Sequence, residues 1–344
     1  MKGQQIILGR YEGTEIAALM RNGKLHDLFI EAPGSICTPG AIYRGIVDRP
    51  LKGQGAMIVR LPDGQTGFLR ETKGLRPGDP LLVQVTGVSE PDKAVPLTSR
   101  VLFKSRYCIV TPGAPGENIS RSIHDEVRRA ELRALLSDLP ETDQYGLILR
   151  SACEMAPDDA IADDLRHTTN VARQVMDDAG REPELLLDGP SPELLAWREW
   201  TEEDAPILLA DTTADLSPVA DAIASLRQPF VPLAANASMY IEETRAFVAV
   251  DVNTGADGSA AAGLRANIAA VRSLASELRL RGLGGQIVID FAPMPKKERK
   301  RFEQTMRAAF RAGLVETNLV GWTTLGHFEL QRKRERIPLS ICLP

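Results

Sequence analysis

Two aspartates, Asp251 and Asp290, each stand at the end of a short β-branched and aromatic run, Phe247 to Val252 and Gln286 to Phe291. Runs of this kind read as buried strands, so each strand delivers one carboxylate at its carboxyl end. Asn253 follows Asp251 by two residues and shares its side of the strand, because strand side chains alternate. Two carboxylates brought together repel unless a cation sits between them, and hard oxygen donors favour Mg²⁺, with Mn²⁺ the alternative. The Asn253 amide suits orienting a water or a phosphate oxygen. The same residues also suit purely local roles: Asp251 and Asn253 can begin a turn or cap a helix, and Asp290 can cap whatever follows Pro293. Spacing alone leaves both readings open.

The elements between the two acids decide whether they meet. Leu264, Ile268, Val271, Ala275 and Leu278 recur at helical spacing and predict one apolar helix face. Gly282 is placed to stop that helix. A strand, a helix and a strand of these lengths make a right-handed βαβ crossover that returns the chain parallel to its start. Both aspartates then fall on the sheet edge where open α/β sheets put their ligands.

A chain of 344 residues with 43% hydrophobic content predicts two or more globular domains. Lys2 is followed by Gly3, Gln4 and Gln5 with no apolar signal core, and no apolar run approaches the roughly 18 residues of a membrane span. Cys37, Cys108, Cys153 and Cys342 lack CxxC spacing, so neither a zinc site nor a disulfide framework is indicated. A cytoplasmic location is the expectation. The net charge of −5 hides segregation: Lys296 to Arg336 holds 11 basic against 5 acidic residues, while Glu154, Asp158, Asp159, Asp163 and Asp164 cluster mid-chain. Local basic surface, rather than the total, decides whether phosphates can be held, although a solvated first helical turn and a solvated tail describe these basic stretches equally well.

In chain order, Gln5–Gly9, Thr14–Arg21 and Lys24–Glu31 predict an antiparallel meander, with Asn22-Gly23 as a tight turn. From Ala41 to Leu102 short strands at regular intervals predict a small five-stranded β-barrel. Tyr43 and Phe68 among Arg44, Arg70, Lys73 and Lys93 are the combination by which such barrels stack bases and track a phosphate backbone, though most barrel aromatics are core. Ser105–Thr111 and Leu147–Ser151 read as strands around a helix from Asp125 to Ser137, and Arg150-Ser151 sets a guanidinium beside a hydroxyl, a pair able to grip a terminal phosphate. An acidic helix, Asp158–Gly180, follows. Trp197 and Trp200 suit packing, Ser217 and Pro218 suit the cap and first turn of a helix ending at Leu226, and Pro229–Pro232 suits a linker.

Seven stretches now coincide with one family pattern: IYRG at Ile42–Gly45, GFL at Gly67–Leu69, SRY at Ser105–Tyr107, ISRSI at Ile119–Ile123, GLILRS at Gly146–Ser151, VDVNTG at Val250–Gly255, and LRLRGLGGQIVIDFAPM at Leu278–Met294. The chain resembles the catalytic half of the ribonuclease E/ribonuclease G family. The resemblance implies a multidomain α+β and α/β protein: an RNase H-like fold interrupted by an S1-type (OB) β-barrel and a 5′-sensor, followed by a DNase I-like α/β catalytic region. It implies segments at 1–38 and 186–228 for the RNase H-like fold, 39–102 for the barrel, 103–185 for the sensor and 229–344 for catalysis. It further implies that Asp251 and Asp290 hold Mg²⁺, that Asn253 assists beside the scissile phosphate, and that Arg150 senses a 5′-monophosphate, with Ser151 keeping the hydroxyl of the usual threonine. Phe68 and Lys93 match RNA-contacting barrel positions, with Met57 or Ile58 where another aromatic is usual.

The expected activity is metal-dependent endonucleolytic cleavage of single-stranded RNA by an activated water, leaving 5′-phosphate and 3′-hydroxyl ends. The family's zinc-linking cysteine pair has no counterpart up to Pro344, so no zinc-linked dimer is expected, only a monomer or another dimer. The family's arginine-aromatic pair near the end of the catalytic region is Thr324-Leu325 here, ahead of Gly326-His327-Phe328-Glu329. That departure keeps a second reading open, an RNA-binding protein of the same ancestry with little catalysis. A third, a metal phosphoesterase acting on small molecules, leaves the barrel unexplained.

Overall fold

The computed structural model describes residues 3–343 apart from 91, 138–144, 201–204, 211–212, 312 and 314; at 213–215 only the backbone is described. The chain forms β1 (Gln4–Tyr11), β2 (Thr14–Arg21) and β3 (Lys24–Ile30), then β4 (Ile42–Leu51), β5 (Ala56–Arg60), β6 (Thr66–Leu69), β7 (Pro80–Val85) and β8 (Val95–Thr98). Next come β9 (Phe103–Lys104), β10 (Cys108–Thr111), β11 (Glu117–Ile119), α1 (Glu126–Ser137), β12 (Gly146–Leu149), α2 (Asp158–Met176), β13 (Glu184–Leu187) and α3 (Pro192–Glu199). β14 (Ile207–Ala210), α4 (Thr213–Leu226), β15 (Phe230–Pro232), β16 (Ser238–Glu243), β17 (Val248–Asn253), α5 (Ala260–Leu280) and β18 (Gly285–Asp290) follow. α6 (Arg299–Arg311), β19 (Thr317–Trp322), β20 (Phe328–Arg332) and α7 (Leu339–Cys342) end the chain. It is a mixed α/β protein in two compact units, residues 34–204 and the remainder.

In the unit formed by residues 34–204, β4, β5, β6, β8 and β7 close into a five-stranded barrel through the β4–β7 pairing. Alternation along each strand sends Val59, Leu69, Val83, Val85 and Leu97 into its core. β13 adds antiparallel to β4 from outside. A separate sheet, β11-β12-β10-β9, packs against α1 and α2 around Val110, Leu132, Leu147 and Leu165.

In the other unit the meander β1–β3 gains β14 as a parallel neighbour of β1 and is covered by α4 and α7. The helix begins a turn earlier than Ser217, leaving Pro218 inside it rather than at its first position. The expected linker at Pro229–Pro232 is instead the edge strand of a six-stranded sheet ordered β15-β16-β17-β18-β20-β19. Only β17 and β18 run parallel in it, as their helical connection requires. α5 and α6 cover one face of this sheet. Val248, Val250 and Val252, with Ile287 and Ile289, meet Leu274, Leu278, Phe302 and Met306 there.

The buried stripe of α5 differs from expectation. It runs through Gly263, Ala266, Asn267, Ala270, Val271, Leu274 and Leu278, leaving Leu264, Ile268 and Ala275 at its margins. Small residues win the centre because they let the helix backbone approach the segment after β18: a Cβ on Gly263 would lie 2.1 Å from the Pro293 carbonyl oxygen. Gly282 does end the helix, with φ of +69°, a conformation glycine adopts without steric cost.

Candidate active site

β17 and β18 are in a register that makes Asp251 and Asp290 direct cross-strand partners. Neighbouring strands lie about 5 Å apart, so the two acids rise side by side. The alternation that buries Val250 and Val252 under α5 sends Asp251 and Asn253 to the opposite, uncovered face. Asp290 stands there too, its side chain 64% exposed. Asn253 donates through Nδ2 to Asp251 Oδ2 at 2.8 Å, which fixes the carboxylate's rotation. His327, just before β20, places Nε2 3.9 Å from Asp290 Oδ2. Glu329 faces outward from the same strand.

What holds Asp290 in place was not legible as chemistry in the sequence. Asn267 is completely buried on α5; its Nδ2 donates to the Ala292 carbonyl at 2.8 Å and its Oδ1 accepts from the Ala292 N–H at 3.0 Å. A polar residue in the middle of an apolar helix stripe was the available signal. The pair of bonds clamps the strand end two residues beyond Asp290.

Among the described residues no group of three or more His, Cys, Asp or Glu side chains surrounds a metal position. The oxygen donors available on this face include the two adjacent exposed carboxylates, a pair that would suit Mg²⁺, an ion that keeps several waters and is commonly held by one or two carboxylates plus substrate phosphates.

The RNA-binding candidates of the barrel divide. Phe68 points outward from β6, half-buried, with the Arg70 guanidinium 5.9 Å from its ring centre. Lys93 is exposed and ion-paired with Glu90. Tyr43 corrects the expectation: it is only 8% exposed and faces the barrel core, so its ring is not presented for stacking. Burial, then the Cys37 hydrogen bond, drives its hydroxyl pKa far up. Arg44 is likewise buried, bonded to Asp178 at 2.5 Å and to Glu184, so it ties β13 and the segment after α2 to the barrel instead of facing solvent.

Arg150, given by the resemblance to 5′-end sensing, has protein partners in this structure. Its Nη1 donates to the carbonyls of Ser105 at 2.6 Å, Arg106 at 3.2 Å and Arg198 at 3.0 Å, while Nη2 pairs with Glu199 at 2.9 Å. The guanidinium is committed to protein acceptors, although Ser151 beside it is exposed. Burial alone would raise the Glu199 carboxyl; Lys104, then Arg198 and Arg150, overcome this and hold it below the usual carboxylate range. The basic C-terminal stretch turns partly inward as well. Arg336 pairs with buried Asp27 at 2.6 Å, and Arg332 donates to Thr317. Burial, then Arg279 and Arg336, pushes the Arg332 guanidinium down to about 10. Thr324 and Leu325 sit in the turn before His327, with Leu325 86% exposed.

No helix among the described residues is long and apolar enough to cross a membrane. Comparison with known proteins finds the chain similar to ribonuclease G of Escherichia coli, 27% identical over an alignment covering 93% of this chain and 77% of that protein. Ribonuclease G of Haemophilus influenzae is 28% identical, covering 94% and 78%. Ribonuclease E of a Nostoc species is 28% identical over 96% of this chain, which spans only 56% of that longer protein. The family described as Ribonuclease E/G matches residues 103–227 and 209–335, well over half of the chain and including Asp251, Asn253 and Asp290. The chain belongs to the ribonuclease E/G family.

Proposed function

We propose that this protein is a Mg²⁺-dependent endoribonuclease that cuts single-stranded RNA during processing or decay and leaves 5′-phosphate and 3′-hydroxyl ends. The observation that carries this reading is the in-register pairing of Asp251 with Asp290 on an uncovered sheet face, with Asn253 bonded to the first. Asp251 and Asp290 are the residues that would hold the ion, Mn²⁺ being the substitute. When bound, Mg²⁺ supplies charge neutralisation at the phosphate and acidifies water at neutral pH. The chain does the rest. Asn253 locks the Asp251 carboxylate in one rotamer and leaves its own carbonyl oxygen for a water proton. The clamp from Asn267 keeps the β18 strand end from drifting, and positioning of this kind is a large part of phosphodiester catalysis. Phe68 and Lys93 offer a stacking face and a cation to the RNA. RNase H-like, 5′-sensor and DNase I-like parts for the remaining segments belong to the same proposal.

End-labelled single-stranded RNA incubated with Mg²⁺ tests it. Cleavage is expected, with Asp251→Asn lowering kcat/KM by roughly a thousandfold or more. Unchanged cleavage by Asp251→Asn overturns the assignment. Leu325 exposed in place of the family's aromatic favours the second reading, RNA binding with little catalysis; its signature is equal RNA affinity in the wild type and Asp251→Asn with no product from either.

A further inference from the structure

The catalytic row of the six-stranded sheet extends past the carboxylates. Phe230 on β15 pairs in register with Tyr240 on β16, Tyr240 with Asp251 on β17, and Asp251 with Asp290 on β18. One transverse row of the uncovered face thus reads Phe, Tyr, Asp, Asp. Solvent-facing positions of an antiparallel strand are ordinarily polar, and Ser238, Glu242 and Asn253 around the row obey that. The two rings do not: Phe230 is 47% exposed and Tyr240 39%. They meet edge to face, centroids 5.5 Å apart at 66°, which holds the Tyr240 ring in a defined orientation. Phe247, also exposed, immediately precedes β17, at the end away from Asp251.

An exposed ring whose residue pairs across the strands, with backbones about 5 Å apart, with a carboxylate proposed to engage a phosphodiester has a specific neighbour. A phosphate at Asp251 and Asp290 carries the base of an adjoining nucleotide to within reach of that ring, and unpaired bases stack on aromatic side chains whatever their sequence. We propose that Tyr240, steadied by Phe230, is the platform on which the base flanking the cleaved bond stacks, making Tyr240 a positioning residue for single-stranded substrate. This rests on the nuclease reading and adds a subsite to it. It also gives a reason for strand preference: a base held in a duplex cannot leave its partner to lie on Tyr240 without unstacking.

The competing role for the pair is to stabilise edge strand β15 as a cross-strand contact, and the experiment separates the two. Wild type, Tyr240→Ala, Tyr240→Leu and Tyr240→Trp are assayed on an RNA with one cleavage site, on the same RNA carrying an abasic residue at either flank of that site, and for binding by fluorescence anisotropy in EDTA. Stacking of the usual strength predicts a roughly tenfold or greater loss of kcat/KM and of affinity for Tyr240→Ala. Tyr240→Leu, which keeps apolar bulk on the strand, loses as much, while Tyr240→Trp retains activity. An abasic flank costs the wild type a similar factor and costs Tyr240→Ala nothing further. An abasic penalty that persists undiminished in Tyr240→Ala, or a Tyr240→Leu as active as the wild type, overturns the inference while leaving the nuclease standing. A wild type that neither cleaves nor binds RNA removes both.

Discussion

Asn267→Leu separates the support of the site from its chemistry. The side chain is fully buried, close to leucine in size, and makes two hydrogen bonds to one residue, Ala292, which is itself 5% exposed. Leucine fills the space yet strands the Ala292 N–H and C=O away from water, at about 1–3 kcal/mol each. Apolar surface gained by leucine offsets part of that, leaving an expected loss of about 2–4 kcal/mol in unfolding free energy. Urea denaturation followed by tryptophan fluorescence reads it, since one of the three tryptophans, Trp322, packs against Phe328 of β20 and Phe291 just after β18. Freed of its clamp, the β18 end shifts Asp290, and a displacement of about 1 Å is enough for a hundredfold loss of cleavage. RNA affinity in EDTA should stay within about twofold, because no RNA contact is assigned to Asn267. A variant that loses less than about 1 kcal/mol and cleaves normally would refute the argument that this buried amide positions the site.

Two further outcomes follow from the Arg150 cluster. With the guanidinium occupied by three carbonyls and Glu199, substrates with a 5′-monophosphate and a 5′-triphosphate are expected to be cut at equal rates within about threefold; a large monophosphate preference shows that the cluster opens for RNA. Glu199→Gln should destabilise the protein by about 2–3 kcal/mol at pH 7, because three cations lose their shared partner. Since the folded-state carboxyl sits below its ordinary value, its contribution is present in full above pH 4.5 and is lost as pH falls through the folded value. The stability gap between wild type and Glu199→Gln, measured by urea titration at pH 7 and pH 3.5, should therefore shrink at the lower pH, and a constant gap argues against the ion cluster as its source.

The strands carrying the two acids were legible because continuous β-branched runs have few other uses, and the crossover length between them leaves a parallel return as the simple solution. The barrel was legible from its rhythm of short strands and glycine turns. The facing of individual side chains was not. Arg44 looks like a surface cation until Asp178 and Glu184, far along the chain, are brought against it. Tyr43 faces the core because β4 is paired on several flanks at once, and Arg150 turns inward because Glu199 arrives from α3. β15 was read as a linker since Pro232 within it and Pro229 just before it disqualify a central strand but not an edge strand. The true face of α5 is centred on glycine and alanine, which hydrophobicity ranks low and close packing ranks high.

Because both covering helices lie on one side of the six-stranded sheet, the positions that hold the domain together and those proposed to meet substrate occupy alternate residues of the same strands. Mutation can therefore explore Tyr240, His327 or Glu329 with little thermodynamic penalty, while Val250 or Ile289 tolerates almost none. A lineage built this way can retune the chemistry and selectivity of its exposed face, or lose hydrolysis altogether, and still fold.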